Sequence, residues 1–248
     1  MKTSLTLKTE DATKIAFDRY EMGNSEVIIL AHGFFNNKDA YLFKKIAEMF
    51  SKEYDVISFD FRGHGKSEGK YTWTFKEEED LRAIILYAKE KEYKKIGVVG
   101  FSLGAAVTLI EASKNPAIGS IIVVSTPYDF RKMDFHFWEK EMLNDLKLNL
   151  GFKGKGKGIR PGNLFLKKTR PIDVVDKLAP KPVLFIHGEK DWLIKPYHSQ
   201  KLFEKTKEPK KIYIVKEAGH AEKIFDDHKE EFEQICKDWL NETLRVQK

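Results

Sequence analysis

Residues 96–107 read Ile-Gly-Val-Val-Gly-Phe-Ser-Leu-Gly-Ala-Ala-Val, and this stretch decides the fold. Its first half is an apolar run that predicts a β-strand over 96–100, and the residues that follow predict a helix. The pattern G-x-S-x-G, from Gly100 to Gly104, lies in the turn between them. Side chains two positions before and after Ser102 would collide with neighbouring backbone, which explains both glycines. The stretch therefore predicts a nucleophilic serine at the C-terminal edge of a sheet.

Short apolar runs alternate with helical patterns along the chain, which predicts an α/β fold with a mostly parallel, twisted sheet flanked by helices. The runs are rich in Val and Ile and nearly continuous in apolarity, as expected of strands buried on both faces. The predicted strands are 27–31, 56–60, 96–100, 121–125, 183–187 and 212–215, preceded by a hairpin of 5–7 with 15–20. The predicted helices are 40–52, 75–92, 103–114, 196–207 and 228–244.

One interval breaks this alternation. No strand–helix unit is predicted between about residues 130 and 183, which is too long for an ordinary loop. We interpret 130–170 as a small inserted cap. The core domain is then expected to consist of 1–129 together with 171–248.

Basic charge is concentrated in the same interval. Residues 131–170 contain eleven Lys and Arg against four Asp and Glu, whereas the whole chain has a net charge of +6. An excess confined to one segment is not a general nucleic-acid-binding surface. The Gly/Lys stretch 151–158 offers one aromatic residue, Phe152, for base stacking. We therefore predict no nucleic-acid partner.

The base that activates the serine is sought among the histidines, because a hydroxyl is a weak nucleophile until its proton is taken. In enzymes with this strand–turn–helix elbow, the acid and the histidine follow the serine along the chain, which excludes His32 and His64. His220 follows the last predicted strand, from where a loop can return over the serine. His198 lies in a predicted helix among polar residues and is interpreted as a surface residue. His228 opens the last helix and is interpreted as a cap or surface residue.

Two acidic residues compete to orient His220. Asp191 ends the sequence His-Gly-Glu-Lys-Asp directly after strand 183–187, whereas Asp129 follows the preceding strand. We favour Asp191, because an apolar stretch and the helix-opening Pro196 follow it. Asp129 stays as the alternative acid. If it is not the acid, we interpret it as a turn residue that leads into the cap.

Backbone amides are the expected donors to the oxyanion. The loop after strand 27–31 begins His-Gly-Phe-Phe, and such a loop supplies one amide while the residue after the nucleophile supplies the other. The donors are then the N–H groups of Phe34 and Leu103. His32 is expected to order this loop without taking part in the chemistry.

Together these residues resemble the α/β-hydrolase superfamily over nearly the whole chain. The matching pieces occur in the order of that family, namely His32-Gly33-Phe34, Asp60-Phe61-Arg62-Gly63-His64-Gly65-Lys66-Ser67, Gly100-Phe101-Ser102-Leu103-Gly104, His187-Gly188-Glu189-Lys190-Asp191 and Ala218-Gly219-His220. Within the superfamily the chain is similar to compact microbial carboxylesterases, which include feruloyl (hydroxycinnamoyl) esterases and monoacylglycerol lipases. The resemblance implies the α/β-hydrolase fold and a short cap in the interval described above.

Neither a metal nor an organic cofactor is implied. The residues Gly65-Lys66-Ser67 suggest a phosphate-binding loop, but Asp60 occupies the position where that loop needs its first glycine. No cysteine–histidine cluster has the spacing of a zinc site.

The composition and the apolar runs predict where in the cell the protein is found. The single cysteine, Cys236, excludes an intramolecular disulfide. Residues 1–20 lack the apolar segment of a secretory signal, and no run approaches the ~18 apolar residues of a membrane span. A cytoplasmic protein is therefore expected, either as a monomer or as a homodimer.

We expect a carboxylic ester hydrolase that acts through a serine acyl-enzyme on a small-molecule ester. Its catalytic residues are Ser102, Asp191 and His220. Its substrate pocket is expected to include four aromatic residues, Phe35, Trp138, Phe165 and Trp192. A thioesterase, or a serine peptidase or amidase, would use the same machinery and is the alternative. A second alternative is a binding protein of this fold without catalytic activity. The presence of a serine, an acid and a histidine argues against it, because such a protein would not need all three.

Overall fold

The computed structural model describes residues 1–133, 159–163 and 165–245. Within them eight strands form one sheet. The strands are β1 (Lys2–Lys8), β2 (Lys14–Tyr20), β3 (Glu26–Ala31), β4 (Asp55–Phe59), β5 (Lys95–Phe101), β6 (Ile118–Val124), β7 (Val183–Gly188) and β8 (Lys210–Val215). Their order is β1-β2-β4-β3-β5-β6-β7-β8. The pairs β1–β2 and β2–β4 are antiparallel and all others are parallel.

Helices flank this sheet, as the alternation of patterns predicts. They are α1 (Tyr41–Phe50), α2 (Glu77–Glu90), α3 (Leu103–Ala112), α4 (Tyr197–Lys205), α5 (Lys223–Asp227) and α6 (Lys229–Thr243). The predicted helices lie within two residues of the observed bounds. Helix α5 was not predicted, because a five-residue helix is too short to show a period of 3.6. The α/β-hydrolase fold and its mostly parallel sheet are confirmed.

Two apolar layers cover the two faces of the sheet. Side chains alternate along a strand, so neighbouring residues of β3 contribute to opposite layers. Ile29 packs in the layer that holds Leu81 of α2, and Ile28 packs in the layer that holds Phe43 of α1. Each fully buried side chain of this kind stabilises the fold by about 1.5–3 kcal/mol. This double cover explains why β4 and β7 are buried along their whole length.

Strand β8 differs from the prediction of strands buried on both faces. Its burial alternates, and Tyr213 and Ile214 are exposed. β8 is the last strand in the sheet order, so β7 is its single neighbour. Exposed lysine is typical of an edge strand, because a charge opposes pairing with another chain, and Lys211 fits this pattern.

The parallel strands end at one edge of the sheet, and the loops that follow them meet there. The loops after β3, β5, β6, β7 and β8 carry, in that order, the residues expected to supply the oxyanion donor, nucleophile, alternative acid, acid and base. Ligands of open α/β sheets bind outside the carboxyl ends of the strands. Among the described residues, no helix is long and apolar enough to cross a membrane.

Candidate active site

Ser102 lies in a sharp turn between β5 and α3. Its backbone is in the left-handed region, with φ of +51°, and its N–H donates to Val124 O over 2.8 Å. A Cβ on Gly100 would lie 2.7 Å from the Cα of Ala105, and a Cβ on Gly104 would lie 2.3 Å from Ala31 O. Carbon atoms in contact normally stay about 3.5–4 Å apart. The steric reason for both glycines is therefore confirmed.

Two hydrogen bonds join Ser102, His220 and Asp191. Oγ of Ser102 lies 3.0 Å from Nε2 of His220, and Nδ1 of His220 lies 2.8 Å from Oδ2 of Asp191. A carboxylate can only accept, so Nδ1 carries the proton and Nε2 is free to accept from the serine hydroxyl. This arrangement can remove a proton from Ser102 when it attacks a carbonyl carbon.

Asp191 is buried and has four donors around its carboxylate. Oδ1 accepts from the backbone N–H groups of Leu193 over 3.0 Å and Ile194 over 2.8 Å. Oδ2 faces His220 and, at 3.3 Å, Nε2 of His187. Burial by itself raises the pKa of Asp191, but the two imidazoles outweigh it and hold the pKa well below its usual range. The carboxylate is therefore ionised beside His220.

Asp129, the alternative acid, has different partners. Its carboxylate accepts from Nη2 of Arg131 over 2.7 Å and lies 3.5 Å from Nη1 of Arg170. The hydrogen bond from Arg131 contributes most to lowering the pKa of Asp129 to about 2. The structure thus places Asp191 beside His220, and Asp129 at the point where the cap interval begins and ends.

The residues of the two expected oxyanion donors adjoin Ser102. A Cβ on Gly33 would be 3.2 Å from Cβ of Ser102, so the loop that carries Phe34 passes directly over the serine. Within the described part of the chain, neither the Phe34 N–H nor the Leu103 N–H has an acceptor. Leu103 is also the first residue of α3, where the helix dipole favours negative charge.

Buried polar contacts hold the Phe34 loop in place. His32 donates from Nδ1 to Gly33 O over 2.7 Å and accepts at Nε2 from the Phe61 N–H over 3.0 Å. Burial holds the pKa of His32 well below its usual value, so the ring stays neutral. Farther along, Asn36 donates to Glu222 Oε1 over 2.6 Å and links this loop to the loop of His220.

The expected pocket residues fall in different places. The ring of Trp192 lies 6.1 Å from the His220 ring, and Phe35 packs 4.1 Å from Phe34. Phe165 is 97% exposed to solvent in the described residues. Trp138 lies outside the described residues. The contribution of all four to substrate binding stays a prediction.

Aromatic residues after β4 form a wall that the sequence analysis missed. The rings of Tyr71 and Trp73 lie 5.0 and 4.9 Å from the Phe34 ring. They pack in one cluster with Leu103 and Phe130, directly beside the nucleophile. The aromatic pair in Tyr-Thr-Trp was visible in the sequence, but only the return of this loop over the sheet edge brings it to the site.

Two histidines differ from expectation. His198 is wholly buried, so the interpretation as a surface residue is wrong. Its Nδ1 accepts from the Tyr128 N–H and its Nε2 donates to Lys132 O, each over 3.2 Å, because the chain after β6 packs over α4. His187, for which the sequence predicted only a place at the end of a strand, contacts Asp191.

A strand–serine–helix turn at the carboxyl edge of a mostly parallel sheet defines the class of α/β hydrolases. Residues 26–155, more than half of the chain, match the family described as alpha/beta hydrolase fold, and the chain belongs to that family. The resemblance seen in the sequence is confirmed.

Individual proteins agree with this family. The chain is 30% identical to Bacillus subtilis YqkD over 211 residues, which cover 78% of this chain and 64% of YqkD, just under two thirds of that relative. It is 22% identical to the Bacillus subtilis hydrolase YugF over 247 residues, covering 86% of this chain and 89% of YugF. Among solved structures, the Pyrococcus furiosus esterase Pf2001 superimposes with a TM-score of 0.80 and 25% identity, covering 99% of this chain and 93% of Pf2001.

Proposed function

We propose that this protein is a carboxylesterase that acts through a serine acyl-enzyme. The observation that carries the proposal is the continuous line of hydrogen bonds from Ser102 through His220 to Asp191, of 3.0 and 2.8 Å, at a nucleophile elbow. An esterase among the similar structures supports the same reaction class.

Acylation follows from this geometry. Oγ of Ser102 attacks the ester carbonyl carbon while Nε2 of His220 takes the hydroxyl proton. The carbonyl oxygen becomes an oxyanion, which the Phe34 and Leu103 amides stabilise. When the tetrahedral intermediate collapses, the carbon–oxygen bond to the alcohol breaks and His220 returns the proton to the leaving alkoxide. Asp191 stabilises the imidazolium throughout and stays ionised.

Deacylation repeats these steps with water. His220 takes a proton from a water molecule, the hydroxide adds to the acyl carbon, and Ser102 leaves with the proton that His220 returns. The products are a carboxylic acid and the regenerated hydroxyl. Every proton is held by a residue of this chain, so the cycle needs no cofactor.

The cap, 130–170, is proposed to form the substrate pocket together with the aromatic wall. The core loops supply all the reacting groups, which leaves the inserted segment free to select the substrate. The partly exposed rings of Phe34 and Trp73, backed by the buried Tyr71, favour an apolar or aromatic acyl group over a charged one. The ring of Trp192 lies 6.1 Å from the His220 ring, which supports a contact with the alcohol part.

A thioester or amide could be cleaved by the same groups, so the leaving group must be measured. Matched ester, thioester and anilide substrates with one common acyl group separate these activities. We expect the ester to be turned over fastest. Hydrolysis of the thioester at a higher kcat/KM would make the protein a thioesterase.

The nucleophile is tested by Ser102→Ala, with Ser113→Ala as the matched control at the other end of α3. Ser113 donates to Ile110 O within its own helix end. Ester turnover should fall on the order of 10⁴- to 10⁶-fold in the first variant and stay unchanged in the second. A fluorophosphonate should label the wild type at Ser102 alone. An unlabelled wild type would instead indicate a hydrolase-fold protein without this activity.

A further inference from the structure

His187 lies near the end of β7 and contacts Oδ2 of Asp191, the same oxygen that His220 contacts. It is wholly buried, as is Ser199 of α4. Its Nδ1 is 2.6 Å from Oγ of Ser199, and its Nε2 is 2.6 Å from Ile194 O. The same Nε2 lies 3.3 Å from Oδ2 of Asp191. One ring thus joins strand β7, helix α4 and the carboxylate.

The protons on His187 follow from these partners. A carbonyl oxygen can only accept, so Nε2 carries a hydrogen and donates it to Ile194 O, while the Asp191 carboxylate lies 3.3 Å from the same nitrogen. The Ser199 hydroxyl can then donate to Nδ1. Among the hydrogen bonds of the described residues, none joins His187 to Ser102 or His220, so it is not a second base.

This contact decides how the Asp191 carboxylate is turned. Two amides of its own turn, from Leu193 and Ile194, hold Oδ1, and a rotation about the Cβ–Cγ bond would move both oxygens out of place together. The Nε2–H of His187, which donates to the carbonyl of Ile194 in the same turn, lies 3.3 Å from Oδ2, and its positive end attracts that oxygen and opposes the rotation. Rotamers locked by surrounding hydrogen bonds are what hold a catalytic group in its productive geometry.

Gly188, the residue after His187, packs against the loop that carries His220. A Cβ on Gly188 would lie 2.1 Å from Gly219 O, so the end of β7 presses directly on the loop that carries His220. His187 and Gly188 together therefore set the distance between the carboxylate and the imidazole.

We propose that His187 is a positioning residue, which holds Oδ2 of Asp191 toward Nδ1 of His220. This proposal rests on the proposed function. It adds Ser199 and His187 to the polar contacts behind Ser102, so that a line of such contacts begins on α4 and ends at Ser102.

The test exploits the difference between glutamine and asparagine. In His187→Gln the longer amide can reach the place of Nε2 and keep the donor to Ile194 O and Asp191. In His187→Asn the shorter amide reaches only the place of Nδ1, so that donor is lost. We expect His187→Asn to lower kcat by about 10- to 100-fold with little change in KM, the scale seen when outer partners of metal-bound histidines are removed. His187→Gln should recover most of that loss.

A proton NMR signal reports the position of Asp191 directly. The Nδ1 proton of His220, assigned by its loss in His220→Gln, should move upfield in His187→Asn and return in His187→Gln, because the hydrogen bond to Asp191 lengthens and shortens again. His198→Gln is the matched control: it alters a buried histidine bonded to Tyr128 and Lys132, and it should leave this signal and kcat unchanged.

Two outcomes would overturn the proposal. One is an unchanged kcat and Nδ1 signal in folded His187→Asn. If His187→Asn does not fold, Ser199→Ala tests the proposal in its place, because it removes only the hydrogen bond that anchors the His187 ring. The second overturning outcome is an unchanged Nδ1 signal in Ser199→Ala. Failure of the proposed function is distinct, since a wild type that no fluorophosphonate labels would show it before any His187 variant is made.

Discussion

Asp129 and Asp191 occupy matching places in the fold. Each follows the carboxyl end of a parallel strand, β6 or β7, and these strands are neighbours. Each side chain is almost fully buried, with 3% and 1% of its residue surface exposed. Arg131 donates to Asp129, whereas His220 donates to Asp191.

The partner therefore decides what a buried carboxylate does. A guanidinium keeps its proton at any pH a protein survives, so Arg131 cannot exchange a proton with Asp129 and the pair serves to hold the chain in place. An imidazole gains and loses a proton near neutral pH, so a carboxylate beside it can stabilise a charge that appears during a reaction. Residue type and position alone did not separate these roles.

The largest difference is expected in kcat when the carboxylates of Asp191 and Asp129 are neutralised one at a time. Asp191→Asn should lower kcat roughly 10⁴-fold, the loss seen when the orienting carboxylate of a serine protease is neutralised. Asp129→Asn should lower it less than about threefold, because its partners do not exchange protons. Steady-state hydrolysis of one small ester by both variants measures the difference.

The result that would reverse the two assignments is equally clear. A crippled Asp129→Asn beside an active Asp191→Asn would place the catalytic acid after β6. Circular dichroism of both variants must match the wild type, since loss of fold would imitate loss of catalysis.

The second effect is on stability and depends on pH. The pKa of Asp129 is lowered to about 2, mainly by Arg131, so its ionised form is favoured in the folded state. A lowered carboxyl pKa stabilises the fold above the unfolded value of ~3.9, and this contribution is lost as the pH falls through about 2. Asp129→Asn should therefore melt below the wild type at pH 6, and the gap should close near pH 2. A gap that stays constant would contradict the ionic origin.

The third effect concerns the cap. Arg170 lies 3.5 Å from Asp129 across the interval, whereas Arg131 is two residues from it in the chain. Arg170→Gln should release the returning end of the cap and raise KM for bulky esters about threefold, and Arg131→Gln should not. Labelling by a small fluorophosphonate should be equal in both. Equal KM changes in both variants would mean that the two arginines only stabilise the fold and that Arg170 has no specific effect on the cap.

The sequence alone predicts the nucleophile because its elbow is a local steric problem. The two glycines and the flanking strand and helix lie within about ten residues, and no distant contact is needed to interpret them. The order of acid and histidine along the chain follows from the fold. Strand and helix bounds were also predictable, since double burial leaves continuous apolar runs.

The parts that were missed depend on tertiary contacts. His198 has polar neighbours in sequence but is covered by the chain after β6. His187 ends an apolar strand, and nothing in the local pattern shows that its ring turns toward Asp191. Tyr71 and Trp73 reach the site only because their loop returns over the sheet edge. In each case the side chain is identified by its partner and not by its neighbours in sequence.

The smallest effect is expected where a buried polar group has no partner. The hydroxyl of Tyr71 is buried and has no hydrogen-bond partner among the described residues, whereas that of Tyr93 donates to Asp55 over 2.7 Å. A buried polar atom left unpaired costs about 1–3 kcal/mol, while a paired one contributes about 0.5–1.5 kcal/mol.

Tyr71→Phe should therefore raise the free energy of unfolding or leave it unchanged, since the ring and its contact with Phe34 are kept. Tyr93→Phe should lower it by about 1 kcal/mol, because Asp55 loses a donor. Urea unfolding of both variants measures the difference. An equal loss in the two would mean that the Tyr71 hydroxyl is hydrogen-bonded after all, and its place beside Phe34 would then make substrate binding the next property to measure in that variant.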